Sequence, residues 1–208
     1  KKLSFDRESN VQIPGLKLSF PRGAFYDTVS FELQQVADAD EAYAPVYQVH
    51  NKFTPVHKRY RMAIGAEGET PFLRDKALVI QKRPGKSPKA IGGRYKKRAI
   101  HARPRSFGKF TLDIDTTAPK VKLVNVPKNR SYGVGRPIRV RITDDLSGIT
   151  SYTPSIDGEW VRMAYDKKRN MLIFKDFERL ESGNHKFQLN VKDAKENKRS
   201  IREQFQTP

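Results

Sequence analysis

The chain has 208 residues, 41 Lys and Arg against 23 Asp and Glu, a net charge of +18 and no cysteine. Its length suits two domains of about 100 residues, and its 37% hydrophobic content excludes a disordered chain. No apolar run approaches the roughly 18 residues of a membrane span, disulfide and thiolate chemistry are excluded, and the charge directs attention to anionic partners.

The amino terminus, KKLSFDRESN, has no apolar stretch of the kind a signal peptide carries. Leu16, Leu18 and Phe20 alternate with polar residues and predict a strand, closed by a turn at Pro21–Gly23. Val29, Phe31 and Leu33 predict another. Asp38 to Ala44 is acidic and alanine-rich and reads as a loop or one helical turn. Val46–Val49 is a short strand ended by His50, Asn51 and Pro55. Tyr60, Met62 and Ile64 form a further alternating set, Gly65–Pro71 a loop, and Ala77–Ile80 a buried strand. Arg83–Gly93 is turn-rich, with two Pro and three Gly. Tyr95–Ala102 reads as one strand. Seven to nine strands in this half suit an antiparallel sandwich.

The stretch SFGKFTLDIDTTAPKV, Ser106 to Val121, is the joint. Phe110, Leu112 and Ile114 alternate with Lys109, Thr111 and Asp113. Pro119 then fixes φ and pushes Ala118 toward extended backbone, and a new alternation opens at Val121 and Leu123. One strand ends a first domain, 1–115, and another opens a second, 116–208, across a short stiff link.

In the second half, candidate strands are Lys120–Val124, Pro137–Thr143, Ile149–Ile156, Glu159–Tyr165, Met171–Phe174, His185–Val191 and Ser200–Phe205. Asp157-Gly158 is a strong two-residue hairpin signal. Turns follow at Tyr165–Asn170 and Ser182–Asn184. Ile138, Val140 and Ile142 should face the core, with Arg139 and Arg141 outside. Trp160 reads as a core or rim aromatic rather than a ligand platform. Seven short strands in about 90 residues read as an immunoglobulin-like sandwich. The fold class is therefore all-β, with two tandem antiparallel sandwiches.

The charge is shared by both halves: residues 1–115 carry 22 Lys and Arg against 12 acids, and residues 116–208 carry 19 against 11. The extreme is Lys76–Leu112, with 12 Lys and Arg and no acid. Lys82, Arg83, Arg94, Tyr95, Lys96, Lys97, Arg98, Arg103 and Arg105 are its candidate binding surface. The same stretch interleaves Tyr95, His101 and Phe107, as a single-strand nucleic-acid groove does. No RRM, KH or helix-turn-helix signature accompanies it. A polyanion- or nucleic-acid-binding module is thus the alternative reading.

Enzyme signatures are absent from the sequence: no nucleophile elbow, phosphate loop, dinucleotide fingerprint or EF-hand loop. His50 and His57, across a Pro-containing bend, offer two imidazoles where zinc wants three or four ligands. The nearest carboxylates, Glu41 and Glu67, are not placed by any motif. Asp113, Asp115, Asp144, Asp145 and Asp193 fall near strand ends, where such groups bind calcium or serve turns.

Three phrases carry a resemblance. LSFPRGAFYD (Leu18 to Asp27), YAPVYQVHNKFTPVHK (Tyr43 to Lys58) and RSFGKFTLDIDTTAP resemble, in that order, the region following the catalytic domain in Bacteroidota cell-wall peptidases of the lysostaphin/LytM zinc metallopeptidase type. DDLSGITSYTPSIDGEWVRMAYD (Asp144 to Asp166) is similar to the immunoglobulin-like module that ends those proteins. FPRGAF is also similar to the sandwich domain of ankyrins and netrin receptors. One departure is DAKENK (Asp193 to Lys198), where such modules read Asp-x-x-Gly-Asn, so the last turn lacks its glycine.

The family's zinc ligands, a His-x-x-x-Asp and a His-x-His pair, have no counterpart at any of the four histidines. The resemblance implies a non-catalytic, periplasmic or envelope accessory region of a peptidoglycan hydrolase. It holds no cofactor itself, zinc belonging to a catalytic domain outside this chain. The partners implied are cell-wall glycan, an envelope protein or that catalytic domain.

Overall fold

The computed structural model describes residues 1–37, 43–66, 70–133 and 135–208. Strand takes 54% of the chain and helix 5%, in antiparallel sheets with no closed barrel among the described residues, so the fold is all-β. The chain resolves into two compact units, Lys1–Asp115 and Thr116–Pro208.

The first unit is built from two five-stranded sheets. One runs, in spatial order, Arg94–Lys96, Ala99–Ala102, Arg61–Gly65, Leu16–Phe20 and Ser9–Ile13; the other runs Leu33–Val36, Val46–Val49, Gly108–Ile114, Ala77–Arg83 and Lys86–Gly92. Alternation decides which side chains meet between them. Leu16, Leu18, Phe20, Met62, Ile64 and Ile100 come from the first sheet, and Tyr47, Val49, Val79, Phe110 and Leu112 from the second. Phe20 anchors this sandwich core, its ring centroid 4.8 Å from Tyr60 and 5.4 Å from Phe31. Burying one such side chain stabilises by about 1.5–3 kcal/mol, and Phe20→Ala would cost about 3–5 kcal/mol through the cavity it leaves.

The second unit packs the sheet Lys120–Val124, Ile138–Thr143, Met171–Phe174, Ala164–Asp166 against the sheet Glu159–Trp160, Ile149–Ile156, Gly183–Asp193, Lys198–Thr207. In chain order this is the A-B-E-D and C′-C-F-G arrangement of an immunoglobulin-like sandwich. Ile138, Val140 and Ile142 are buried, Arg141 is exposed and Arg139 half-buried, as the alternation requires. Asp157 and Gly158 have φ of 53° and 90° and link Ile156 to Glu159, the geometry a type I′ hairpin needs.

Several expectations are corrected. The strand expected through Val29, Phe31 and Leu33 is split: Val29–Ser30 pairs with Lys2–Leu3, and Leu33–Val36 joins Val46–Val49. Arg83–Gly93, read as turn-rich, is mostly strand. Pro84 and Gly85 make a tight turn, and Lys86–Gly92 is an edge strand, where Pro88 costs no ladder bond.

Tyr95–Ala102 is not one strand but a hairpin, because Lys97 and Arg98 both take positive φ (49° and 62°) and reverse the chain. Pro71–Lys76 forms a helix capped by Thr70, whose hydroxyl accepts from the Leu73 amide, with Pro71 suited to the first turn. Glu159–Tyr165 divides into Glu159–Trp160 and Ala164–Asp166, on opposite sheets. Gly183 and Asn184 begin a strand rather than a turn. Trp160, read as a core or rim aromatic, stands at the rim, 67% exposed on an edge strand. The loop expectations for 38–42 and 67–69, with Glu41 and Glu67, lie outside the described residues.

Candidate functional site

Register places the basic residues of the first unit. In the sheet that ends with Ser9–Ile13, inward and outward rows alternate across the strands. Tyr95, Ile100, Ile64, Leu16 and Ile13 stand in one inward row. The next row, facing outward, is Arg94, His101, Ala63, Lys17 and Gln12.

Beyond the inward row of Ala102, Met62, Leu18 and Val11 comes a second outward row. It holds Asn10 opposite Ser19 and Ser19 opposite Arg61. Arg103 follows Ala102, the partner of Met62, and so falls beside Arg61. Arg59, two residues before Arg61, and Glu8, two before Asn10, keep to the same face. Lys17, Arg59, Arg61, Arg94 and Arg103 are all exposed there, with Glu8 as the acid.

Part of this face is a cleft of about 350 Å³ lined by Glu8, Asn10, Ser19, Pro21, Arg59, Arg61 and Arg103. The Arg59 guanidinium donates to the Arg103 carbonyl at 2.9 Å and so pins the chain leaving the Ala99–Ala102 strand. Tyr60 supports the same crossing from beneath, its amide donating to the Pro104 carbonyl and its hydroxyl to the Ser106 carbonyl. A cavity in the second unit, lined by Leu123, Tyr132 and Phe205 among others, measures about 10 Å³, room for no more than a water.

The sequence candidates divide accordingly. Arg94, Lys96 and Arg103 fall on the sheet carrying the cleft. Lys97 and Arg98 form the hairpin turn at the other end of the Ala99–Ala102 strand from the cleft, and Arg105 lies in the exposed loop past Arg103. Lys82 and Arg83 belong to the other sheet, where Lys82 stands opposite Lys109. Tyr95 turns inward and packs on the core, with the Arg74 guanidinium 5.1 Å from its ring centroid. Phe107 is fully buried, and His101 Nε2 lies 3.0 Å from the Lys96 carbonyl. Tyr95 and Phe107 therefore offer no stacking platform, and His101 is the one exposed ring of the three. Lys17, Arg59 and Arg61 were missed because they precede the acid-free stretch in sequence and join it only through strand pairing.

The histidines expected at a bend take separate roles. His50 is buried, its ring 5.2 Å from Phe107 and 5.6 Å from Phe31, with Nε2 2.9 Å from the Thr54 hydroxyl. Burial holds it below the ordinary histidine value, against a smaller upward pull from Glu32. His57 Nδ1 meets the Tyr26 hydroxyl at 3.1 Å. Neither belongs to a group of three ligand-type side chains among the described residues.

In the second unit, Asp144 Oδ2 accepts from the amides of Leu146 and Gly148. Asp193 Oδ1 accepts from those of Lys195 and Asn197. Both carboxylates shape turns. In the first unit Asp113 accepts from the amide of Ile114, and in the second Asp145 pairs with Lys120.

Compared with known families, residues 1–115 match the model of the Zu5-like domain. That match spans the whole first unit. No curated protein matches the chain.

Proposed function

The chain belongs to the Zu5-like domain family through residues 1–115, and we propose from that premise that it is a non-catalytic binding module which holds an anionic envelope glycan. The observation that carries this is Lys17, Arg61 and Arg94, registered on one sheet and all exposed, with Arg59 and Arg103 flanking its strands and lining the same cleft as Arg61. A fixed array of cations on rigid strands attracts a polyanion and fixes its direction, where cations scattered on loops would only attract it.

The setting we propose is the accessory region of a periplasmic or cell-envelope peptidoglycan hydrolase. The support for it is the sequence resemblance carried by Leu18–Asp27, Tyr43–Lys58 and Asp144–Asp166. The immunoglobulin-like unit would serve as a spacer or as a contact to the catalytic domain.

Nucleic acid is the rival partner. Single-strand binders combine a basic groove with exposed aromatic platforms. Here Tyr95 faces the core and Phe107 is fully buried. No helix among the described residues is long and apolar enough to cross a membrane.

The test is co-sedimentation of the full chain with purified wall sacculi at about 0.15 M salt, beside a K17E/R94E variant and a single-stranded DNA control. Retention of the wild type, loss in the variant and weak DNA binding are expected. Tight DNA binding with no retention on sacculi would move the assignment to the nucleic-acid reading.

A further inference from the structure

Arg61 opens the strand Arg61–Gly65 and Arg103 directly follows Ala99–Ala102, so the register Ala102 to Met62 brings two like charges side by side. Such a pair directly opposed is destabilising unless something neutralises it. Arg59 adds a third cation two residues along. Glu8, the acid of the cleft, makes no ion pair with another described residue, and neither do Arg61 and Arg103. The side chains of Asn10 and Ser19 are likewise without a hydrogen-bond partner among the described residues. Six polar side chains thus converge on one cleft with most of their bonding capacity turned outward.

We propose that this cleft seats a sugar acid, a single carboxylate-bearing saccharide unit of the polymer. The inference rests on the reading of the basic face as a glycan-binding surface and names the unit that would be read there. Arg61 and Arg103 present planar forks matched to a carboxylate, and Arg59 holds the Arg103 backbone in place through its 2.9 Å bond.

Glu8 decides the class of anion. Its carboxylate lines the cleft with the three arginines; it repels a dianion such as phosphate more than a monoanion, and it accepts hydrogen bonds from ligand hydroxyls. Asn10 and Ser19 add both donors and acceptors for those hydroxyls. The half-buried Pro21 ring gives the C–H face of a sugar something apolar to lie on. The volume, about 350 Å³, lies near the lower end of small-ligand pockets, which suits one saccharide unit.

The test is an NMR titration of the full chain with glucuronate, glucose and inorganic phosphate. The amides of Asn10 and Ser19 and the Arg61 and Arg103 Nε–H groups are followed. Glucuronate should shift these signals and glucose should not, with phosphate binding more weakly than glucuronate.

R61K/R103K keeps the net charge but loses the forks, and should weaken glucuronate about tenfold or more. Its retention on sacculi should persist in part. E8Q should move the other way on phosphate, tightening it while weakening glucuronate. Both variants alter exposed residues, and an unchanged thermal midpoint certifies their fold.

Absent glucuronate shifts, equal binding by R61K/R103K, or phosphate binding at least as tight as glucuronate would each overturn the sugar-acid site. Failure of the wild type to sediment with sacculi would instead overturn the glycan-binding reading itself, whatever glucuronate does.

Discussion

His185 Nδ1 lies 2.6 Å from Asp157 Oδ2, while its Nε2 lies 2.8 Å from the Glu181 carbonyl. Both ring nitrogens therefore face acceptors, and only the imidazolium can donate to both. The Asp157 hydrogen bond is the main cause that raises His185 above 6.5, with burial opposing it. Burial pushes Asp157 up, but bonds from His185 and from the Lys186 amide outweigh it and leave the carboxyl below 3.8. One carboxylate thus ties the hairpin turn to the Gly183–Asp193 strand.

A pH dependence of the second unit follows. A raised histidine contributes stability that is complete below 6.5 and is lost as pH rises through the folded value. The lowered Asp157 contributes above 3.8 and fades as pH falls. The unfolding midpoint of this unit should therefore drop as pH is raised from 6 toward 8 or above. Asp157→Asn keeps the acceptor for the Lys186 amide and should flatten that slope, which thermal unfolding across pH reads directly.

The first unit should slope the opposite way. His50 is buried against Phe31 and Phe107, and burial lowers its folded value below 6.5. The unfolded chain then takes up the proton first, so stability present above 6.5 falls on acidification. His50 also takes φ of 50°, which Asn tolerates better than most residues. His50→Asn should remove the acid-side loss while lowering the neutral-pH midpoint through lost packing. Unfolding followed at pH 5 and 7.5 separates the two effects.

Gly158 has φ of 90° and open space where a Cβ would stand. The obstacle to a side chain is backbone conformation alone. Gly158→Val should destabilise the second unit by about 1–3 kcal/mol, and Gly158→Asn by less. Denaturant unfolding of the two variants orders them.

Glu196 has a φ of 62°, in the left-handed region that favours glycine. Asp193 closes this turn by bonding the amides of Lys195 and Asn197, which holds Glu196 in the left-handed region. That conformation costs an L-residue about 1–2 kcal/mol. The partly exposed Lys192–Glu196 pair returns at most about 1 kcal/mol. Glu196→Gly should therefore stabilise the second unit by about 0.5–1 kcal/mol, seen as a higher denaturant midpoint.

What the sequence made legible was periodicity. Leu16–Phe20, Lys120–Val124 and Ile149–Ile156 were readable from alternation, and Met171–Phe174 as a short, wholly apolar run. The Lys97-Arg98 turn was not, because long basic side chains carry no signal for positive φ, and only the pairing of Lys96 with Ala99 reveals it. The break after Ser30 was equally hidden, since Phe31 continues the alternation but leaves the strand to fill the core. The cleft was half legible: Arg103 was read from the acid-free stretch, whereas Arg59 and Arg61 reach it through pairing across 40 residues of chain. Composition announces that cations exist, and register decides which of them stand together.

The most direct test of the account is the map of amide shifts when the full chain is titrated with a soluble acidic glycan. Shifts should centre on Asn10, Lys17, Ser19, Arg61, Arg94 and Arg103, and spare Lys82, Arg83 and Lys109 on the other sheet. Shifts centred on Lys82–Lys109, or on the second unit, would contradict the assignment of the basic face.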